Sequence, residues 1–146
     1  MRIIILVTTL LAATVCLAQQ IPRKANVIKV SQVTFKQVAM SLLDAGYLFQ
    51  KIDSNYNTIT TEPKEYSRKV GGMIQLNIRV KDSTVIISGY CGLTEGDFNS
   101  RPSTALGGKS EIANQGMKGS LMRESFDVMN KFARSLGTDI VYIKED

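Results

Sequence analysis

The stretch "ISGYCGL", residues 87–93, carries a thiol at Cys91. A cysteine can attack a carbonyl, bind a metal or pair with a second thiol, and the first two roles require the thiolate. The chain contains no histidine. That removes Ser-His-Asp and Cys-His catalysis and every imidazole metal site. Tyr90 and Gly92, the neighbours of Cys91, supply no charge to draw off its proton. Cys91 therefore reads as a small buried strand residue, with an intermolecular disulfide or a reactive thiol as the alternatives.

Other candidate chemistry is similarly thin. Glu95 and Asp97 form a carboxylate pair in a polar loop. Such a pair can act as acid and base, but in a loop it is more simply solvated. "STALGGKS", residues 103–110, matches the Gly-Lys-Ser end of a phosphate-binding loop, yet Ser103 stands where the first glycine belongs. No apolar strand leads into it and no long helix starts at Lys109, so a Gly/Ser loop explains it. "DSNYN", residues 53–57, offers alternating oxygens but lacks the glycine and distal glutamate of a calcium loop. No Gly-x-Ser-x-Gly or Ser-x-x-Lys occurs. No catalytic residue, cofactor or metal site is expected.

The setting is written at the N-terminus. "MRIIILVTTLLAATVCLAQQ" has one charge at Arg2, an apolar run over Ile3 to Val15, and small residues at Cys16 and Ala18. This is the pattern of a secretory signal peptide cut after Ala18, which implies a periplasmic or secreted product. Membrane attachment would require lipidation at Cys16, but Val15 stands where a lipoprotein signal carries a small residue. Cleavage removes Arg2 and leaves 17 Lys+Arg against 13 Asp+Glu, a net charge of +4. It also removes Cys16, so Cys91 has no internal partner. The surplus charge is spread along the chain, which argues against nucleic acid.

The mature chain, residues 19–146, is read as one domain. "NVIKV" is a strand. A helix over 34–45 follows, with Thr34 as N-cap, Gln37 completing a capping box, Val33 and Val38 as a hydrophobic staple, and Gly46 as the stop. "YLFQKI" and "TITTE" are strands around the 53–57 turn, and "KEYSRKVGG" is a polar connector. In "MIQLNIRV" the apolar residues alternate, putting Ile74, Leu76, Ile78 and Val80 on one face and Gln75, Asn77 and Arg79 on the other. "VIISGYC" returns, which sets Val80 against Val85, Ile78 against Ile87 and Ile74 against Cys91. Residues 94–119 read as a long Gly/Ser/Asn-rich loop with one helical turn near Glu111 to Gln115, mobile until a partner binds. Ser120 caps a second helix that ends at Gly137, and "DIVYI" is the last strand. The order β-α-β-β-β-β-α-β points to an α+β two-layer sandwich, a mostly antiparallel sheet with both helices on one face.

"VTFKQVAMSLLDAGYLFQKIDSNYNTITTEP" resembles the helix-grip domains of the lipoprotein C subunit of the outer-membrane β-barrel assembly machine. It is also similar to small secreted domains of TATA-binding-protein-like fold. The resemblance rests on Leu42, Gly46, Tyr47, Asp53 and Thr61. It departs from the pattern in lacking a lipobox and a glycine in the 53–57 turn. It implies this architecture and an envelope setting, and it carries over no catalytic residue.

The expected function is a non-catalytic exported domain that binds or scaffolds in the cell envelope. Its contact surface would combine Gln75, Asn77 and Arg79 with Phe98, Arg101, Lys109 and Lys118 from the long loop, a basic cast suited to an acidic partner. The alternatives are a small hydrolase or lyase using carboxylates or tyrosine near residues 94–119, and an inhibitor presenting that loop to a secreted enzyme.

Overall fold

Strict alternation of apolar and polar residues sets the centre of the molecule. The computed structural model describes residues 20–67, 71–99 and 108–145. Strands β5 (Gly72–Lys81) and β6 (Thr84–Gly92) form a long antiparallel hairpin. Its register pairs Val80 with Val85, Ile78 with Ile87 and Ile74 with Cys91, as the alternation requires. The two turn residues, Asp82 and Ser83, both have positive φ, 49° and 58°. That backbone is the one whose twist matches a two-residue hairpin.

Around this hairpin the sheet is antiparallel throughout, in the order β2-β3-β5-β6-β1-β8. Strand β1 spans Val27–Ser31, β2 Phe49–Asp53, β3 Thr58–Thr61 and β8 Ile140–Ile143. Two short strands complete it: β4 (Lys64–Ser67) pairs with the start of β5, and β7 (Ser110–Glu111) with the end of β6. Helix α1 (Phe35–Asp44) has the expected reciprocal cap: the Gln37 amide donates to Thr34 Oγ1 at 3.3 Å, and the Thr34 amide donates to Gln37 Oε1 at 2.8 Å. Gly46, at φ 74°, allows the turn that ends it. Helix α3 (Leu121–Leu136) starts at the Ser120 cap.

Both helices bury their apolar stripes on one face of the sheet. Val38 and Leu42 from α1, with Phe126, Met129 and Ala133 from α3, join Ile28, Val30, Ile74, Leu76, Ile87 and Cys91 in a single core. The fold is the expected α+β architecture, with three elements that composition concealed. "KEYS" is strand β4 rather than connector, because β5 continues to Gly72, past its last pair with β3 at Asn77, and leaves backbone groups to be paired. The helical turn falls at α2 (Gly96–Asn99) instead of near Glu111, where β7 forms.

The second half of the long loop is bound into the fold. Ile112 is fully buried, and its amide donates to Gly89 O at 3.0 Å. Gly89 makes room for this: a Cβ there would lie 2.7 Å from Gln75 O and 3.1 Å from Ile112 Cδ1. Asn114 Nδ2 donates to Pro22 O at 2.8 Å and Ile21 O at 3.2 Å. Asn26 Nδ2 donates to Glu111 Oε1 and Glu145 O, and its Oδ1 accepts from the Glu145 amide at 2.8 Å. These carboxamides tie residues 108–116 to residues 21–26 and, through Asn26, to Glu145.

Candidate functional site

Cys91 is 1% exposed and faces the helix layer beside Ser125 and Tyr66. Burial pushes its thiol pKa up, with the Ser125 hydroxyl acting more weakly in the opposite direction. The Tyr66 hydroxyl lies 2.8 Å from Ser125 Oγ and donates to Leu121 O at 3.1 Å. Its pKa is raised as well, chiefly by burial. A thiol and a phenol that both hold their protons more tightly than usual, the phenol with the Glu124 charge adding to the effect, form a hydrogen-bonded cluster and not a nucleophile.

The carboxylate pair also resolves into structure. Asp97 Oδ2 accepts from the amides of Leu93, at 2.8 Å, and Thr94, at 2.9 Å. Those bonds, that of Thr94 first, hold its pKa below the ordinary value. Asp97 thus secures the turn that leads into α2, and its basicity is reduced. No cluster of three or more metal-ligating side chains occurs among the described residues.

The expected contact residues separate into three groups. Gln75 and Phe98 are interior, at 4% and 8% exposed. Gln75 Nε2 donates to Gln50 Oε1 at 2.8 Å and Thr61 O at 3.1 Å. Phe98 folds back over Gly92, where a Cβ would meet its ring at 3.0 Å. The causes differ: Phe98 belongs to α2, which covers the Gly92 end of β6, whereas Gln75 is held by Gln50 of β2 and the end of β3. Arg101 lies outside the described residues. Asn77, Arg79, Lys109 and Lys118 retain solvent access. Lys109 Nζ sits 4.8 Å from the centroid of the Tyr90 ring, a cation–π contact that places the loop on the same sheet face as Asn77 and Arg79.

That face carries neither α1 nor α3, and the short α2 covers only its Gly92 end. Registers across it align Thr58, Arg79, Ile86, Lys29 and Val141 in one row, and Thr60, Asn77 and Ser88 in the next. Strand β2 extends these rows with Asp53 beside Thr58 and Lys51 beside Thr60, so the face mixes hydroxyl and amide groups with Ile86 and Val141, the cations Arg79, Lys29 and Lys51, and the acid Asp53. Sequence reasoning identified the β5 contribution from alternation and missed the residues of β1, β3 and β6, whose positions depend on strand order.

On the helix side, a groove of about 480 Å³ is lined by Tyr47, Tyr66, Val128, Phe132, Lys64 and Lys131, among others. Burial raises the Tyr47 pKa to about 12. Lys64 donates to Ala45 O at the end of α1 and lies 4.7 Å from the Tyr47 ring centroid. Its ammonium is thereby fixed as a helix C-terminal cap. No helix among the described residues is long and apolar enough to cross a membrane. Compared with known proteins, the chain matches no family model and no curated protein.

Proposed function

We propose that this chain is an exported, non-catalytic domain of the cell envelope that binds or scaffolds a partner through the face of its sheet opposite α1 and α3. The observation that carries the reading is the division of the sheet. One face is filled by α1 and α3, and the other presents Asn77, Ser88, Thr60 and Arg79 in adjoining rows. An open face that mixes polar, apolar and charged side chains favours partner contact over the enclosure of a substrate. The signal-like N-terminus supports the envelope setting, with the product periplasmic or secreted. Engagement of Asp97 by loop amides and burial of Cys91 weigh against a hydrolase or lyase.

The test is capture from envelope extract by the mature domain and two variants. Arg79→Glu, on the open face, should reduce capture of the partner strongly. Lys131→Glu, on the helix side, should leave it unchanged. Equal capture by both variants would sink the assignment of the face.

A further inference from the structure

We propose that the pocket between the mature N-terminal segment, the 114–117 turn and the first turn of α3 binds a compact oxyanion, best suited by a phosphate monoester. Its volume is about 470 Å³, and Arg23, Arg123, Asn114 and Gln115 are in its wall, with no aspartate or glutamate. The inference goes beyond the sheet-face reading and uses none of its residues.

Two basic segments far apart in sequence meet here. "QIPRKAN", residues 20–26, and "IANQGMKGSLMR", residues 112–123, contain four cations and no acid. Asn114 joins them. Its amide donates to Ala25 O at 2.7 Å, its carbonyl accepts from the Lys24 amide at 2.9 Å, and its side chain holds Ile21 O and Pro22 O. Arg23 and Arg123 come to one cavity, and only Arg123 has an acidic partner, Asp127, so the charge of Arg23 is left for an anion to offset.

The arginines are differently prepared. Arg123 donates through Nη1 to Asn114 Oδ1, and its Nε lies 3.5 Å from Asp127 Oδ1. Those contacts fix the guanidinium plane and leave Nη2 to donate. Arg23 makes no side-chain hydrogen bond or ion pair among the described residues. Two planar forks can share the oxygens of one tetrahedral phosphate, whereas a carboxylate satisfies a single fork. The cavity exceeds a bare phosphate, and Ile21 and Met117 supply apolar wall for the remainder of an ester.

The mature protein is titrated with inorganic phosphate at low ionic strength and followed by amide NMR, with sodium chloride at matched ionic strength as control. Saturable shifts at Asn114, Gln115 and Arg123 are expected with phosphate and not with chloride. Arg23→Gln should weaken the affinity about ten-fold, as loss of a charged hydrogen-bonding group does. Arg23→Lys, which keeps the charge and loses the fork, should fall between. Glycerol 3-phosphate and vesicles carrying phosphatidic acid then separate a soluble ester from a lipid headgroup. Arg123 also holds Asn114, so Arg123→Gln is interpreted only beside an unchanged melting curve. Arg23 has no such role and decides the test alone. Absence of saturable shifts, an equal response to chloride, or full affinity in Arg23→Gln overturns the proposal.

Discussion

The β5–β6 hairpin and the 108–116 segment lie against each other in one sheet, yet different forces hold them. In the hairpin, Ile74, Leu76, Ile78, Val80, Val85 and Ile87 are all buried, and every residue from Met73 to Lys81 has a partner on β6. In the segment, Ile112 is the one large fully buried side chain, and the attachment is made by Asn114 reaching the carbonyls of Ile21 and Pro22 and by Asn26 donating to the Glu111 carboxylate. Burial is non-directional and is won residue by residue along a periodic stripe. A carboxamide anchor is directional, and its removal leaves buried groups without partners. The hairpin should therefore fail globally and the segment locally.

The largest effect separates them first. Leu76→Ala should destabilise the whole domain by about 2–5 kcal/mol, measured by denaturant unfolding, because it opens a cavity in the centre of the core. A loss well under 1 kcal/mol would mean that the hairpin is not the keystone. Asn114→Ala comes next, at about 1–3 kcal/mol for the carbonyls of Ile21 and Pro22 left without their donor. Hydrogen exchange should quicken over residues 108–116 while the amides of β5 keep their protection. Loss of protection in both regions together would merge what the comparison divides.

Legibility in the sequence follows the same division. Alternation located β5 and β6, their register and the inward direction of Cys91, because a period of two is visible in one stretch of chain. Thr34 and Gln37 marked the start of α1 because both halves of a capping box lie within four residues. Strand β7 and the anchors had no such signal. Asn26 and Asn114 are ordinary asparagines in "KANV" and "IANQ", and their partners are 85 to 119 and 92 to 93 residues away. The open face was legible only along β5, since Ser88 and Thr60 reach Asn77 through strand order. The oxyanion pocket was invisible for the same reason, because its two basic walls meet only in the fold.

Cys91 gives a smaller and sharper comparison. Its thiol should react slowly with a maleimide reagent in the native protein and fast once unfolded, and Cys91→Ala should cost about 1 kcal/mol. Fast native labelling would contradict the register with Ile74. The smallest effect belongs to Asp97. Its pKa is lowered in the folded state, so its contribution is present above the ordinary carboxylate range and fades as pH falls through the lowered value. Asp97→Asn should flatten the acid limb of the stability curve slightly, and an unchanged limb would remove the carboxylate from the account of that turn.

The open sheet face is the claim on which the functional reading rests, and a photocross-linking side chain tests it directly. Installed at position 77 in the mature domain and irradiated in whole cells, it should yield a discrete cross-linked product. The same side chain at position 131, on the helix side, should yield none. Products from position 131 and none from position 77 would show that the partner docks on the helices, and the account of the sheet face would be wrong.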